Sequence, residues 1–373
     1  MSGTNVTYIL GAGASCYSQP LVSNMKERME SLIALLNTNS DIHKKYICDT
    51  FKDKTEDLYK KYNLIVEEAN KHYTPDTYAK KLSLTDQIDK LDLLKEFLNL
   101  YFLFEQDDIY DFYKDKNLPK NRLKEFLDRP LSFHGGSSQK DVEIYKLTKK
   151  RAEAQKDNFV WDKIKIPIDY RYDVFLATLL VNKGTKENQK LLLPENYNII
   201  SWNYDNQWEF AYKEYAKDIG LKGISKRLYI NNKYDPNKSH ILKVNGDCNC
   251  WDEEKNEELT FYNAVEKLIS GKNVNNTIEF AWEGSKPQYA AIHKIMEKSD
   301  IIVIIGYSFP NFNRDVDKTI FFQYNPKTTK EIIIQVPDKY EFKKIKQRLQ
   351  TIKPIDDIVF RHIPDKDQFY IPL

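Results

Sequence analysis

Four short segments of this 373-residue chain combine glycines with small polar side chains in positions where they could act together. Gly11-Ala12-Gly13-Ala14-Ser15 follows the apolar run Val6–Leu10 and leads into a helical pattern. A strand that breaks on glycines and opens a helix suits phosphate binding. Gly11 permits the tight turn, and Gly13 lets backbone N–H groups approach a pyrophosphate with no Cβ in the way. Cys16 stands where a full dinucleotide fingerprint has its third glycine, so taken alone the segment fits a plain turn as well as a nucleotide site. Ser201-Trp202-Asn203-Tyr204-Asp205, Asn245-Gly246-Asp247 and Gly306-Tyr307-Ser308 each follow an apolar run in the same manner, with Asp315 and Asp317 a little further on. Each is bland by itself, since Asn and Asp cap helices and Gly-Tyr-Ser makes turns. Four such clusters at successive strand ends would converge on one crevice, which caps do not explain.

The elements that would position them follow from periodicity. Tyr197–Ser201, His240–Val244, Asp300–Gly306 and Glu331–Val336 are short apolar runs, and the unbroken Ile301–Ile305 suits a strand covered on both faces of a parallel sheet. Helical patterns fall between them at Trp208–Lys217, Pro287–Lys298 and Tyr340–Leu349. With a first strand at Val6–Leu10, this alternation predicts an α/β fold, a doubly wound (Rossmann-like) parallel sheet. Leu21 to Asn37 reads as a helix, and residues 41–81 as surface helices. From Ile88 to Phe102 a wide apolar stripe suits a helix packed in a bundle or one meeting another subunit, burial within the chain being preferred. Gly135, Gly136, Ser137, Ser138 and the charges after them read as a mobile connection near 132–157, where His134 is a weak catalytic candidate. The expected division is residues 1–40 and 160–373 as the α/β domain, with 41–159 as a large, mostly helical insertion.

Bulk properties narrow the classes. Lys and Arg number 57 against 55 Asp and Glu, a net charge of +2, which leaves no electrostatic footprint for direct nucleic-acid binding. Cys16, Cys48, Cys248 and Cys250 are too few and scattered for a disulfide framework, so a reducing compartment fits. No apolar run reaches membrane-spanning length and the N-terminal one is short for a signal peptide, so a soluble, cytoplasmic chain without membrane association is expected.

In this order and strand context, GAGAS, SWNYD, KVNGD and IGYSF resemble the sirtuin-like (SIR2-like) NAD-binding domain. The likeness is closest to the bacterial branch found in antiphage defence systems, whose members hydrolyse NAD. Asp173–Ala177 is similar to a further segment of that branch, and the resemblance spans roughly residues 5–20 and 165–310. It implies that Gly11, Ala12, Gly13 and Ser15 cradle the NAD pyrophosphate and adjoining ribose. Asn203 would hold the nicotinamide ribose and position the attacking water. Asp205 would orient that asparagine or contact ribose, and Gly306 and Ser308 would line the adenosine half. The implied reaction is hydrolysis of NAD to nicotinamide and ADP-ribose, restrained by a partner protein, a trigger or self-association.

One departure matters: Asn245 stands where the family has histidine, and an amide cannot accept a proton near neutral pH as an imidazole can. Asp247 is the preferred substitute base. His240 precedes its strand and is expected at the opposite end of the sheet. The family's deacylases carry two Cys-x-x-Cys zinc pairs, but here Cys248-x-Cys250 stands alone, so no metal is expected and deacylation is the poorer reading. The alternative to an NADase is a catalytically degenerate regulatory subunit that senses NAD or a related nucleotide.

Overall fold

The computed structural model describes residues 3–46, 50–106, 168–183, 190–216, 218–283, 287–355 and 358–372. Six parallel strands make one sheet: β1 Val6–Leu10, β2 Tyr197–Ser201, β3 Ile241–Lys243, β4 Ile301–Ile305, β5 Glu331–Gln335 and β6 Val359–Ile363. Their order across the sheet is β3-β2-β1-β4-β5-β6, so the chain winds outward in both directions from β1. Leu10 pairs with both Ser201 and Ile305, and Ser201 with Lys243, so the carboxyl ends of β1 to β4 finish level. Between β1 and β4 the winding reverses. In sheets of this kind the crevice beyond the strand ends at that point is where ligands bind.

Five α-helices lie between β1 and residue 106 among the described residues: α1 Val22–Leu36, α2 Asp41–Tyr46, α3 Glu56–Asn70, α4 Pro75–Leu84 and α5 Ile88–Gln106. Further along come α6 Tyr170–Leu179, α7 Gln207–Lys213, α8 Leu221–Arg227, α9 Phe261–Ile269, α10 Pro287–Lys298, α11 Arg314–Ile320 and α12 Lys339–Ile352. Side chains alternate across each strand, so one face of the sheet presents Tyr8, Leu10 and Ile199 to α6, α7 and α8 through Phe175, Trp208 and Ile224. The other presents Ile9, Ile200, Ile304 and Ile334 to Ile292, Val316 and Leu349 of α10, α11 and α12. A third core joins α1, α3, α4, α5 and α9 through Leu32, Tyr62, Tyr78, Phe97 and Phe261.

The wide stripe on α5 is core: Leu91, Leu94, Phe97, Leu98 and Tyr101 are buried, while Ile88 is exposed. Its width follows from its neighbours, since α5 packs against α3, α4 and α9 at once. Arg28 of α1 forks onto the buried Glu105 at 2.8 and 2.6 Å, tying the start of this layer to the end of α5. The expected connection at 132–157, His134 and Cys48 lie outside the described residues. Among the described residues no helix is long and apolar enough to cross a membrane.

Candidate functional site

The turns after β1 and β4 are built as a unit. Gly11 donates its N–H to the Ile305 carbonyl at 3.0 Å, Gly13 to the Gly306 carbonyl at 3.1 Å, and Ala14 back to Gly11 at 2.8 Å. A Cβ on Gly11 would lie 2.7 Å from the Gly306 oxygen, and one on Gly13 2.7 Å from the Gly306 Cα. Gly306 has φ +64, and its own Cβ would meet the Ala14 nitrogen at 2.3 Å. The glycines are therefore required by backbone-to-backbone contact between two turns, and three of the N–H groups are spent on carbonyls.

The same turn is clamped from the other side by residues just ahead of and within α6. Asp169 caps that helix and holds the buried Arg171 guanidinium at 2.7 Å. Arg171 in turn donates to the Ala14 carbonyl at 2.9 Å and the Gly13 carbonyl at 3.2 Å. Tyr172, next in sequence, reaches the Ser15 hydroxyl at 2.8 Å.

Ser15 is the hub of the polar site. Its oxygen accepts from the Asn203 amide at 3.0 Å. Ser15 also acts on the Asp205 carboxyl, holding its pKa down, and in the contact with Tyr172 either hydroxyl can donate. Asp205 is buried, and burial pushes its pKa up to about 6 despite the opposing pull of Ser15 and of Lys243. Lys243, on β3, donates to the Asp205 main-chain carbonyl and to the buried Glu209 of α7, both at 2.9 Å. Burial alone would lower the Lys243 ammonium, but Glu209 and Asp247 outweigh it and hold the pKa raised.

Around this hub a cleft opens with about 150 Å³ of free space. Gly11, Ala12, Ser15, Asn203, Asp205, Asn245, Gly306 and Ser308 all border it. Gly13 is turned to Gly306 instead, and Asp247, 3.5 Å from Lys243, does not line the cleft. Burial also raises the Asp247 pKa, with Lys243 opposing. Asn245 borders the cleft with its amide committed: Nδ2 donates to the Trp202 carbonyl at 2.8 Å, and Oδ1 accepts from the Ala281 N–H at 3.0 Å. It ties the end of β2 to the 278–281 segment. His240 sits ahead of β3, away from these strand ends, and its Nε2 lies 2.9 Å from the Asp235 carbonyl oxygen.

Several cleft residues were not singled out from sequence. Trp202 and Tyr307 stack at 4.9 Å with ring planes 12° apart, and the Tyr307 hydroxyl donates to the buried Asp317 at 2.8 Å. Asp76 enters from α4, where it accepts from the Tyr204 hydroxyl at 2.6 Å and burial raises its pKa. Thr74-Pro75-Asp76 reads in sequence only as a helix start, which it also is. Gln19 borders the cleft with neither amide atom bonded, and the Trp202 indole N–H is likewise without a partner. Among the described residues lining the cleft there are two carboxyls and no Lys, Arg or His.

No protein-family model matches the chain, and no curated protein matches it.

Proposed function

We propose that the cleft binds NAD and hydrolyses its nicotinamide–ribose bond, giving nicotinamide and ADP-ribose, in antiphage defence and under the control of a partner or trigger. The observation that carries this reading is the Asn203–Ser15–Asp205 network at the crevice where the strand order reverses. In the reaction the bond from the ribose C1′ to the ring nitrogen breaks and its electron pair neutralises the pyridinium. Water forms the new bond to C1′, and its proton passes to Asp205. Asn203 holds the ribose and orients that water. A carboxyl with a pKa of about 6 is suited to accept a proton near neutral pH, which moves the role of base from Asp247 to Asp205. The sirtuin-like resemblance supplies the substrate in this reading.

A second reading, a regulatory subunit that senses NAD without cutting it, is favoured by Asn245, whose amide is tied to backbone on both sides. Incubating the purified chain with NAD and quantifying nicotinamide and ADP-ribose separates the two. Equal release of both products supports hydrolysis. Binding by calorimetry without release, whatever partner or trigger is added, favours sensing, and no binding at all overturns both.

A further inference from the structure

We infer that the chain holds a second binding site, a small cationic pocket at the opposite end of the sheet from the cleft, which takes a phosphate group, free or at the end of a small phosphomonoester. It stands whether or not the cleft binds NAD.

Three stretches far apart in sequence build the pocket. Lys183 directly follows Val181–Asn182, which pairs antiparallel with Leu191–Leu192. Arg227 ends α8, and Lys238 sits in the segment ahead of β3. Ser239, also in the lining, donates its hydroxyl to the carbonyl of Tyr197, the first residue of β2. The pocket therefore lies at the amino ends of β2 and β3, whereas the cleft lies at their carboxyl ends.

Its lining holds three cations and no carboxylate, the reverse of the cleft. Lys183 donates to Glu195, outside the lining, at 2.6 Å and keeps further N–H donors. Arg227 and Lys238 make no ion pair among the described residues. Arg227 stands beside the Tyr212 hydroxyl, where it opposes the rise in pKa that burial imposes. Asp218 acts on the same hydroxyl but does not line the pocket. The Lys238 ammonium is 5.4 Å from the centroid of the Tyr229 ring. Both unpaired cations are partly buried, so solvent screens them less than on an open surface. Such charges repel one another, and an anion between them turns that repulsion into attraction.

The end of α8 would by itself oppose an anion, because a helix C-terminus carries partial negative charge. Here its carbonyls are capped: Ile224, Ser225 and Lys226 accept from the N–H groups of Leu228, Ile230 and Tyr229. Size and shape complete the assignment. About 20 Å³ of free space admits one compact tetrahedral group and no nucleobase. A guanidinium fork flanked by ammonium groups suits phosphate oxygens, and Asn237 adds a neutral amide at the same wall.

Calorimetry with the full chain and inorganic phosphate, then ribose 5-phosphate, each at constant ionic strength set with chloride, tests the site. The parent should bind saturably. Arg227→Gln and Lys238→Gln should each weaken binding about tenfold. Lys60→Gln, the same loss of charge at an exposed lysine of α3, should leave it unchanged. Phosphate should also raise the urea midpoint of the parent more than that of either pocket variant. Should Arg227→Gln loosen the fold, Lys238→Gln still decides, because Lys238 has no ion pair to lose. Tighter binding of phosphate than of ribose 5-phosphate assigns the free ion, and the reverse order assigns a phosphomonoester. No saturable binding, or equal weakening by Lys60→Gln, overturns the site. Saturable binding that neither pocket variant weakens places the anion elsewhere and overturns it as well.

Discussion

Asn203 and Asp205 carry the proposed chemistry, and each makes a different demand on experiment. Asn203 donates to Ser15 and borders the cleft, so removing its amide takes away a positioning group without opening the core. Asn203→Ala should slow NAD cleavage about a hundredfold or more while NAD affinity falls far less, a split read from kcat and from calorimetry. Asp205 ties activity and stability together through one pKa. Its folded value of about 6 lies above the ordinary value of 3.8, so the folded chain holds this proton more tightly than the unfolded chain does. The consequence is stability lost as pH rises from about 4 to about 6 and absent above, on the order of 3 kcal/mol. Asp205→Asn should therefore be more stable than the parent at pH 7.5 and no more stable at pH 4, by urea denaturation at both. In the parent, cleavage should rise with pH through about 6, and the variant should lack both that rise and the activity. These residues were legible in the sequence because each directly follows an apolar strand. Gln19 and Asp76 were not, because an amide after a turn and an acid at a helix start have ordinary local explanations. Their meaning arises only where α4 and the 11–20 segment meet across the cleft.

At the scale of elements, the glycine turn and the strand ends behave as one interlocked piece. Gly306 has a left-handed backbone and no room for a Cβ, whereas Gly271, at φ +73, faces open space. Gly271→Ala should cost only about 1 kcal/mol from its backbone conformation. Gly306→Ala carries that cost and also forces β1 and β4 apart, so its denaturation midpoint should fall several times further. The same contacts mean that a bulky residue at Gly13 would disturb folding before it reports on any ligand. Lys243 offers the parallel test on the β3–α7 side. Lys243→Met leaves Glu209 buried without its partner and should cost about 3–5 kcal/mol, with Glu209→Gln in the same chain recovering much of the loss. The sequence pattern located β1 to β5 within a residue, because a short, mainly apolar run marks each of them. β6 escaped because Arg361 and His362 break its run and Val359 is exposed, as an edge strand tolerates. The clamp of Asp169, Arg171 and Tyr172 escaped too, since nothing local distinguishes a buried arginine that holds turn carbonyls from a surface one.

For the whole molecule, the helical layer matters as much as the sheet. Periodicity found α1 and α5, but it could not say that α5 would be buried all round from Phe97 onward or that α4 would bring a carboxyl to the crevice. The sheet itself sets a different kind of constraint. β1 is the hub of the strand order, yet its two neighbours begin only at Tyr197 and Ile301. Pairings so distant in sequence close slowly. In refolding monitored by pulsed hydrogen exchange, the amides of Val6–Leu10 should gain protection together with those of Ile301–Ile305, and early protection of β1 alone would contradict this. On the ribosome the delay becomes a matter of time. At about 5–20 residues per second, roughly 15–60 s pass between synthesis of β1 and arrival of its second partner. Until Tyr197–Ser201 is made the apolar strand has no native mate, and until Ile301–Ile305 follows one of its edges stays open, so the hub of the finished sheet is a long-standing hazard for aggregation in the nascent chain.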